Sequence, residues 1–178
     1  MLPFDYKLLL KLCFFFSRGY FEFVTYGGAA YAIAGLDANE HSQVDRWTEK
    51  EGWVTMANYP RNMHRGCCVA DEGFDRIYCF GGTSYNNLAF QYRVSDNVWE
   101  YMSWDYTLYY SFYDGGCAIY TNRGNGHRFL ILTGAHTYRV QWFDLTAPSI
   151  WRSLTGGLNF NSGRLVSISP YEGYQVQK

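Results

Sequence analysis

Short apolar runs, most of them ending in glycine and followed by polar turns, dominate this chain and predict strands rather than helices. "IYCFGGTSYNNLAFQYRVSDNVW" (Ile77 to Trp99) joins an apolar run, a Gly81-Gly82 pair, a polar loop, a second run carrying Tyr92, and Trp99. The pattern recurs in "YAIAGLDANEHSQVDRWTEKEGW" (Tyr31 to Trp53) and in "FLILTGAHTYRVQWFDLTAPSIW" (Phe129 to Trp151). Gly35 to Trp53, Gly82 to Trp99 and Gly134 to Trp151 span 18, 17 and 17 residues, and successive tryptophans lie 46 and 52 residues apart. A self-similar period near 50 residues signals a repeat architecture in which each unit is one supersecondary block.

Four strands can be drawn in each copy from alternation and turn residues. The first copy gives Tyr20–Val24, Ala30–Ala34, Gln43–Thr48 and Trp53–Met56. The second gives His64–Ala70, Arg76–Phe80, Leu88–Val94 and Val98–Ser103. The third gives Gly116–Thr121, Arg128–Thr133, Arg139–Asp144 and Ile150–Ser153. The tail "GRLVSISP" and "YEGYQVQK" reads as two strands of a further unit, so the repeats fall at about 20–57, 64–103 and 115–154, with half a unit at 164–178. A glycine closing a strand supplies a positive φ or lets backbone approach closely. The aromatics of the third and fourth strands (Trp47, Tyr92 and Phe143, then Trp53, Trp99 and Trp151) carry enough apolar area to fill the space between stacked sheets. These positions read as architecture.

Composition narrows the function classes. The 178 residues carry a net charge of -1, so there is no basic surface for nucleic acid. No stretch approaches the ~20 apolar residues of a membrane-spanning helix. Residues 1–19 are set apart as a leader: Lys7 and "LLLKLCFFFS" have the outline of a weak signal peptide, but Lys11 interrupts the apolar run and no small-x-small cleavage site follows closely. A poorly ordered leader, or a helix or strand belonging to a longer protein, is the alternative.

Five cysteines leave at least one thiol unpaired within the chain. If Ala70 faces Ile77 across the turn "ADEGFDR", Cys68 faces Cys79, making that pair the candidate disulfide, with free buried thiols as the alternative. No sequon for N-glycosylation occurs, and the compartment stays open, with an intracellular site slightly favoured over secretion. The four histidines lack metal-ligand spacing, no nucleophile elbow or phosphate loop is present, and "NRGNGH" (Asn122 to His127) reads as a hairpin loop. The expectation is a protein with no catalysis and no cofactor.

Phe80-Gly81-Gly82, Tyr92 and Trp99, preceded by "YPRNMHRGCCVA" with Pro60 and Arg61, resemble the kelch repeat. The flanking copies diverge, with Ala34-Gly35 and Thr133-Gly134 in place of the glycine pair. The resemblance covers about residues 20–177 and implies an all-β fold: a partial β-propeller of four-stranded antiparallel blades. Three and a half blades do not close a ring. The chain is then a fragment of a longer protein (the preferred reading), one half of a ring closed by a second copy, or an array capped by its N-terminal segment.

The resemblance also implies a protein or peptide partner held on one loop face. In a propeller the connections between second and third strands, and between units, open on the same side. That side carries Arg61, Tyr85, Asn87, Trp104, Tyr106, Tyr109, His136 and Phe160, the candidate partner-binding residues. The loop "SWDYTLYYSFYDGG" is its richest part, although Tyr110 and Phe112 could equally pack inward. A non-catalytic interaction scaffold is the expected function. The alternatives are a secreted or surface matrix-type protein that binds carbohydrate or another extracellular chain, and a copper-radical oxidase of the galactose oxidase type.

Overall fold

Period-two alternation places successive side chains on opposite faces of a strand, so a segment apolar at nearly every position must be covered on both sides. The strand Arg76–Gly81 is such a segment, buried at five of its six positions. The computed structural model describes residues 19–37, 39–82, 87–102, 115–122, 126–133, 140–146 and 152–154. It is an all-β protein of three four-stranded antiparallel sheets, each built from strands consecutive in sequence.

Sheet 1 holds β1 (Glu22–Tyr26), β2 (Ala29–Leu36), β3 (Glu40–Thr48) and β4 (Gly52–Thr55). Sheet 2 holds β5 (Gly66–Asp71), β6 (Arg76–Gly81), β7 (Ala89–Arg93) and β8 (Val98–Tyr101), with a single 3-10 turn at Glu72–Phe74. Sheet 3 holds β9 (Gly116–Thr121), β10 (Arg128–Thr133), β11 (Val140–Asp144) and β12 (Arg152–Leu154). Each of the twelve strands drawn from sequence in the three copies has its counterpart; the largest displacement is β3, which begins at Glu40 rather than Gln43. Gly19, assigned from sequence to the leader, exchanges two backbone hydrogen bonds with Leu36 and so extends the edge of sheet 1. Residues 1–18 and the half unit at 164–178 lie outside the described residues, as do Gly134 and Trp151.

The sheets stack through two apolar layers. Val24, Tyr31, Ile33 and Val44 of sheet 1 meet Ile77, Cys79, Phe90 and Tyr92 of sheet 2. The opposite face of sheet 2 (Cys67, Tyr78, Phe80, Ala89) meets Cys117, Leu130, Leu132 and Phe143 of sheet 3. Between sheets, the first strands come into contact, β1 against β5 and β5 against β9.

Trp99 seals the first layer. Its ring lies 4.9 Å from those of both Tyr92 and Tyr59, and its indole N–H donates to the Ala57 carbonyl at 3.0 Å. The equivalent Trp53 pairs with Trp47 on the face of sheet 1 turned away from sheet 2, where it is half-buried. Burial raises the pKa of the Tyr31, Tyr59 and Tyr92 phenols, with Tyr92 pushed up to about 12. The Tyr92 hydroxyl donates to Asn97 Oδ1 at 2.6 Å.

The glycines behave in two ways. Gly81 and Gly82 take φ of 69° and 103° at the end of β6. In sheet 1 the equivalent pair does not end the strand: β2 runs on to Leu36, with a register shift between Ile33 and Gly35. Ala34 adopts φ 57° there, the left-handed conformation that Gly81 takes without a side chain. A Cβ on Gly82 would lie 2.9 Å from Met63 Cγ and 3.2 Å from the His64 carbonyl, whereas one on Gly52 would meet nothing within 4 Å.

Gly82→Ala should therefore cost about 3 kcal/mol, combining backbone strain with overpacking. Gly52→Ala, at φ 74°, should cost about 1 kcal/mol from strain alone. Urea unfolding of both variants checks this, and equal losses would refute the close-approach account.

The raised phenols set an alkaline limit on stability. The folded state holds their protons more tightly than the unfolded chain, in which tyrosine titrates near ~10. Stability from Tyr92 is thus complete below that pH and drains away as pH climbs toward about 12. Absorbance at 295 nm followed with Tm should show a late-titrating tyrosine that Tyr92→Phe removes. A single titration of all tyrosines near the ordinary value, with Tm unchanged, would contradict this.

Candidate functional site

Antiparallel order places the β2–β3 and β6–β7 connections at the same end of their sheets as the connection leading from β4 to β5. At this loop end residues 56–65 are threaded between sheets 1 and 2. Tyr59 and Met63 are buried there, Tyr59 edge-on to Phe90 at 5.2 Å. Main-chain hydrogen bonds tie the segment down: Gly35 N–H to the Met63 carbonyl at 2.8 Å, Met63 N–H to His41 O at 3.1 Å, and Tyr59 N–H to Ser42 O at 2.7 Å. A connection held this way presents its exposed side chains from a fixed base.

Arg61 and Asn87 are both exposed at this end, Arg61 on the threaded segment and Asn87 on the β6–β7 connection. The other six residues expected here (Tyr85, Trp104, Tyr106, Tyr109, His136 and Phe160) lie outside the described residues. The structure adds a group that sequence reading passed over. Tyr20, 60% exposed, and Arg65 both adopt left-handed backbone just before the first strands of their sheets, at φ 51° and 58°. The Arg65 guanidinium carbon lies 5.1 Å from the centre of the Tyr20 ring, and the His64 ring lies 6.5 Å from it. Two non-glycine residues in this conformation at neighbouring strand entries mark local strain maintained by the surrounding packing. Their sequence signal, "SRGY" and "MHRG", is too slight to have been read.

A shallow open depression of about 440 Å³ is lined by His41, Ser42, Gln43, Thr55, Asn58 and Asn62. Its side chains are oriented from behind by two carboxylates. Asp37 pairs with His41 Nε2 at 2.8 Å. The Asn39 N–H, then His41, holds the Asp37 carboxyl below the usual range. Buried Asp45 accepts from Gln43 Nε2 at 2.9 Å and from the Thr55 hydroxyl at 3.0 Å.

The opposite end carries the electrostatic ties between sheets. The Tyr26 hydroxyl donates to Asp75 Oδ1 at 2.9 Å, and Gly27 N–H to Glu72 Oε1 at 3.1 Å. Hydrogen bonds from Ser95, then Tyr26, lower the Asp75 carboxyl. Arg128 pairs with Asp71 and lies 3.9 Å over the Phe74 ring.

Cys68 and Cys79 are direct cross-strand partners joined by a disulfide, with Cα atoms 4.2 Å apart. A second disulfide, absent from the sequence reading, joins Cys67 to Cys117 with Cα atoms 5.9 Å apart. The four described cysteines are thus all paired. Among the described residues no group of three or more His, Cys, Asp or Glu is placed to hold a metal ion, and no helix is long and apolar enough to cross a membrane.

No protein-family model matches this chain, and no curated protein matches it in sequence.

A double-mutant cycle tests the Tyr20–Arg65 pair. Tyr20→Ala and Arg65→Ala should show a coupling of about 0.5–1 kcal/mol in urea unfolding, the size of an exposed cation–ring contact. Strict additivity would remove the pair from the site.

Proposed function

We propose that this chain is part of a kelch-type β-propeller whose loop end holds a protein or peptide partner, without catalysis. The observation that carries the reading is the threaded connection at residues 56–65. It is fixed by main-chain hydrogen bonds to sheet 1 and by the buried Tyr59 and Met63. It displays Arg61 outward, and its last residue, Arg65, lies over the Tyr20 ring. A rigid base bearing arginine and aromatic side chains suits recognition, since little ordering entropy is lost on binding. The propeller arrangement is supported by three consecutive four-stranded antiparallel sheets whose first strands contact one another.

A second reading places the same end in an extracellular setting, contacting carbohydrate or another secreted chain. The two disulfides favour it, because such bonds persist in oxidising compartments. The amide- and hydroxyl-lined depression is chemically suited to a sugar.

Selection of a displayed peptide library on the full chain tests the first reading. Selected peptides should lose at least about tenfold in affinity on Arg61→Glu combined with Asn87→Asp, a loss of ~1.4 kcal/mol. They should keep their affinity on Phe74→Ser, at the opposite end. Peptides insensitive to the first pair would sink the proposal, and a glycan array with the same variants decides for the second reading.

A further inference from the structure

We infer that the Cys67–Cys117 bond is a redox-operated clamp holding sheet 3 to sheet 2, closed when the chain folds in an oxidising compartment. The inference does not depend on what the loop end binds.

Cys67 and Cys68 are neighbours on β5, so their side chains leave opposite faces of sheet 2. Cys68 turns to the layer shared with sheet 1 and is bonded to Cys79 within its own sheet. Cys67 turns to the layer shared with sheet 3 and is bonded to Cys117 on β9. The two bonds therefore differ in kind: one fastens adjacent strands that the hydrogen-bond ladder already joins, and the other spans two sheets that no ladder joins.

The position of the spanning bond gives it its effect. Cys67 is the second residue of β5 and Cys117 the second of β9, both near the loop end. At the far end of β5, Asp71 pairs with Arg128, which also lies over Phe74. Sheet 3 is thus pinned to β5 at two points, covalently at the loop end and electrostatically at the other. Between them lies side-chain packing by Tyr78, Phe80, Leu130 and Leu132, with Val69 and Ile119 against them. Among the described residues no disulfide joins sheets 1 and 2. There the connection at residues 56–65 supplies main-chain hydrogen bonds instead.

Closing the clamp is a thiol–disulfide exchange with a protein or small-molecule disulfide. One cysteine thiolate attacks that disulfide to form a mixed disulfide and release one thiol. The second cysteine then attacks the mixed disulfide, forming the Cys67–Cys117 bond and releasing the other thiol. Two electrons pass from the cysteine pair to the disulfide reagent, and a dithiol reverses the sequence.

The test uses the full chain produced in an oxidising compartment. Non-reducing peptide mapping should recover Cys67 linked to Cys117, with neither alkylated before reduction. In the variant Cys68→Ser with Cys79→Ser, dithiothreitol then acts on the clamp alone among the described disulfides. Hydrogen exchange in β9 and β10 should accelerate by on the order of tenfold or more on reduction, with β2 and β3 unchanged, because release lets sheet 3 open separately. Cys67→Ser with Cys117→Ser should reproduce the effect without reductant; if that variant does not fold, the reduction experiment decides. Alkylation of Cys67 and Cys117 before reduction would overturn the inference. So would unchanged exchange in β9 and β10 after mass measurement confirms that the bond is broken.

Discussion

The packing around Met63 is the constraint on which the rest of the described loop end depends. Its side chain occupies space that any Cβ on Gly66 or Gly82 would invade, since those atoms would fall 2.7 Å and 2.9 Å from Met63 Sδ and Cγ. Its main chain is shared with sheet 1, donating to His41 and accepting from Gly35. One residue thus joins the end of β6, the start of β5 and the bulge in β2. The sheets cannot slide on one another without breaking backbone hydrogen bonds that have no water to replace them.

That constraint explains how much of the molecule could be read from sequence. Strand positions were legible because the alternation of apolar positions and the glycine-to-tryptophan spacing both report backbone period. The facing of Cys68 and Cys79 followed from the same period around one tight turn. Ala34 was not legible, because nothing local announces an alanine held left-handed; its conformation is imposed by the register shift between Ile33 and Gly35. Tyr59 and Met63 sit in a polar-looking connection, "NYPRNM", and their burial comes from sheets brought together by tertiary packing. Cys67–Cys117 is a contact between units, at a sequence separation of 50. Strand pairing within a unit says nothing about it. The only local hint is that Gly66-Cys67 and Gly116-Cys117 open the first strands of two successive units.

The candidate site was legible in outline and not in its parts. Topology alone sends Arg61 and Asn87 to one end, since antiparallel consecutive strands leave no other arrangement for their connections. The Tyr20, His64 and Arg65 group depends instead on left-handed turns at two strand entries, and composition does not encode those. Three of the side chains at the depression, His41, Gln43 and Thr55, are held by Asp37 and Asp45, two carboxylates to which no motif in the sequence draws attention. Asp45 is in fact buried, and it fixes Gln43 and Thr55.

The two interfaces solve one problem by different chemistry. Each sheet has apolar residues on both faces and cannot hide them alone. Between sheets 1 and 2 the solution is aromatic and main-chain: Tyr59, Tyr92 and Trp99 interlock, and Ala57 is held both by the Trp99 indole and by Asn97 Oδ1. Between sheets 2 and 3 it is mixed aromatic and aliphatic side-chain packing, closed at one end by sulfur and at the other by Arg128 with Asp71. A buried ion pair is a weak source of net stability, because desolvation offsets much of the attraction. A disulfide between distant positions removes conformational freedom from the unfolded chain. The second interface therefore leans on its covalent tie in a way that the first does not.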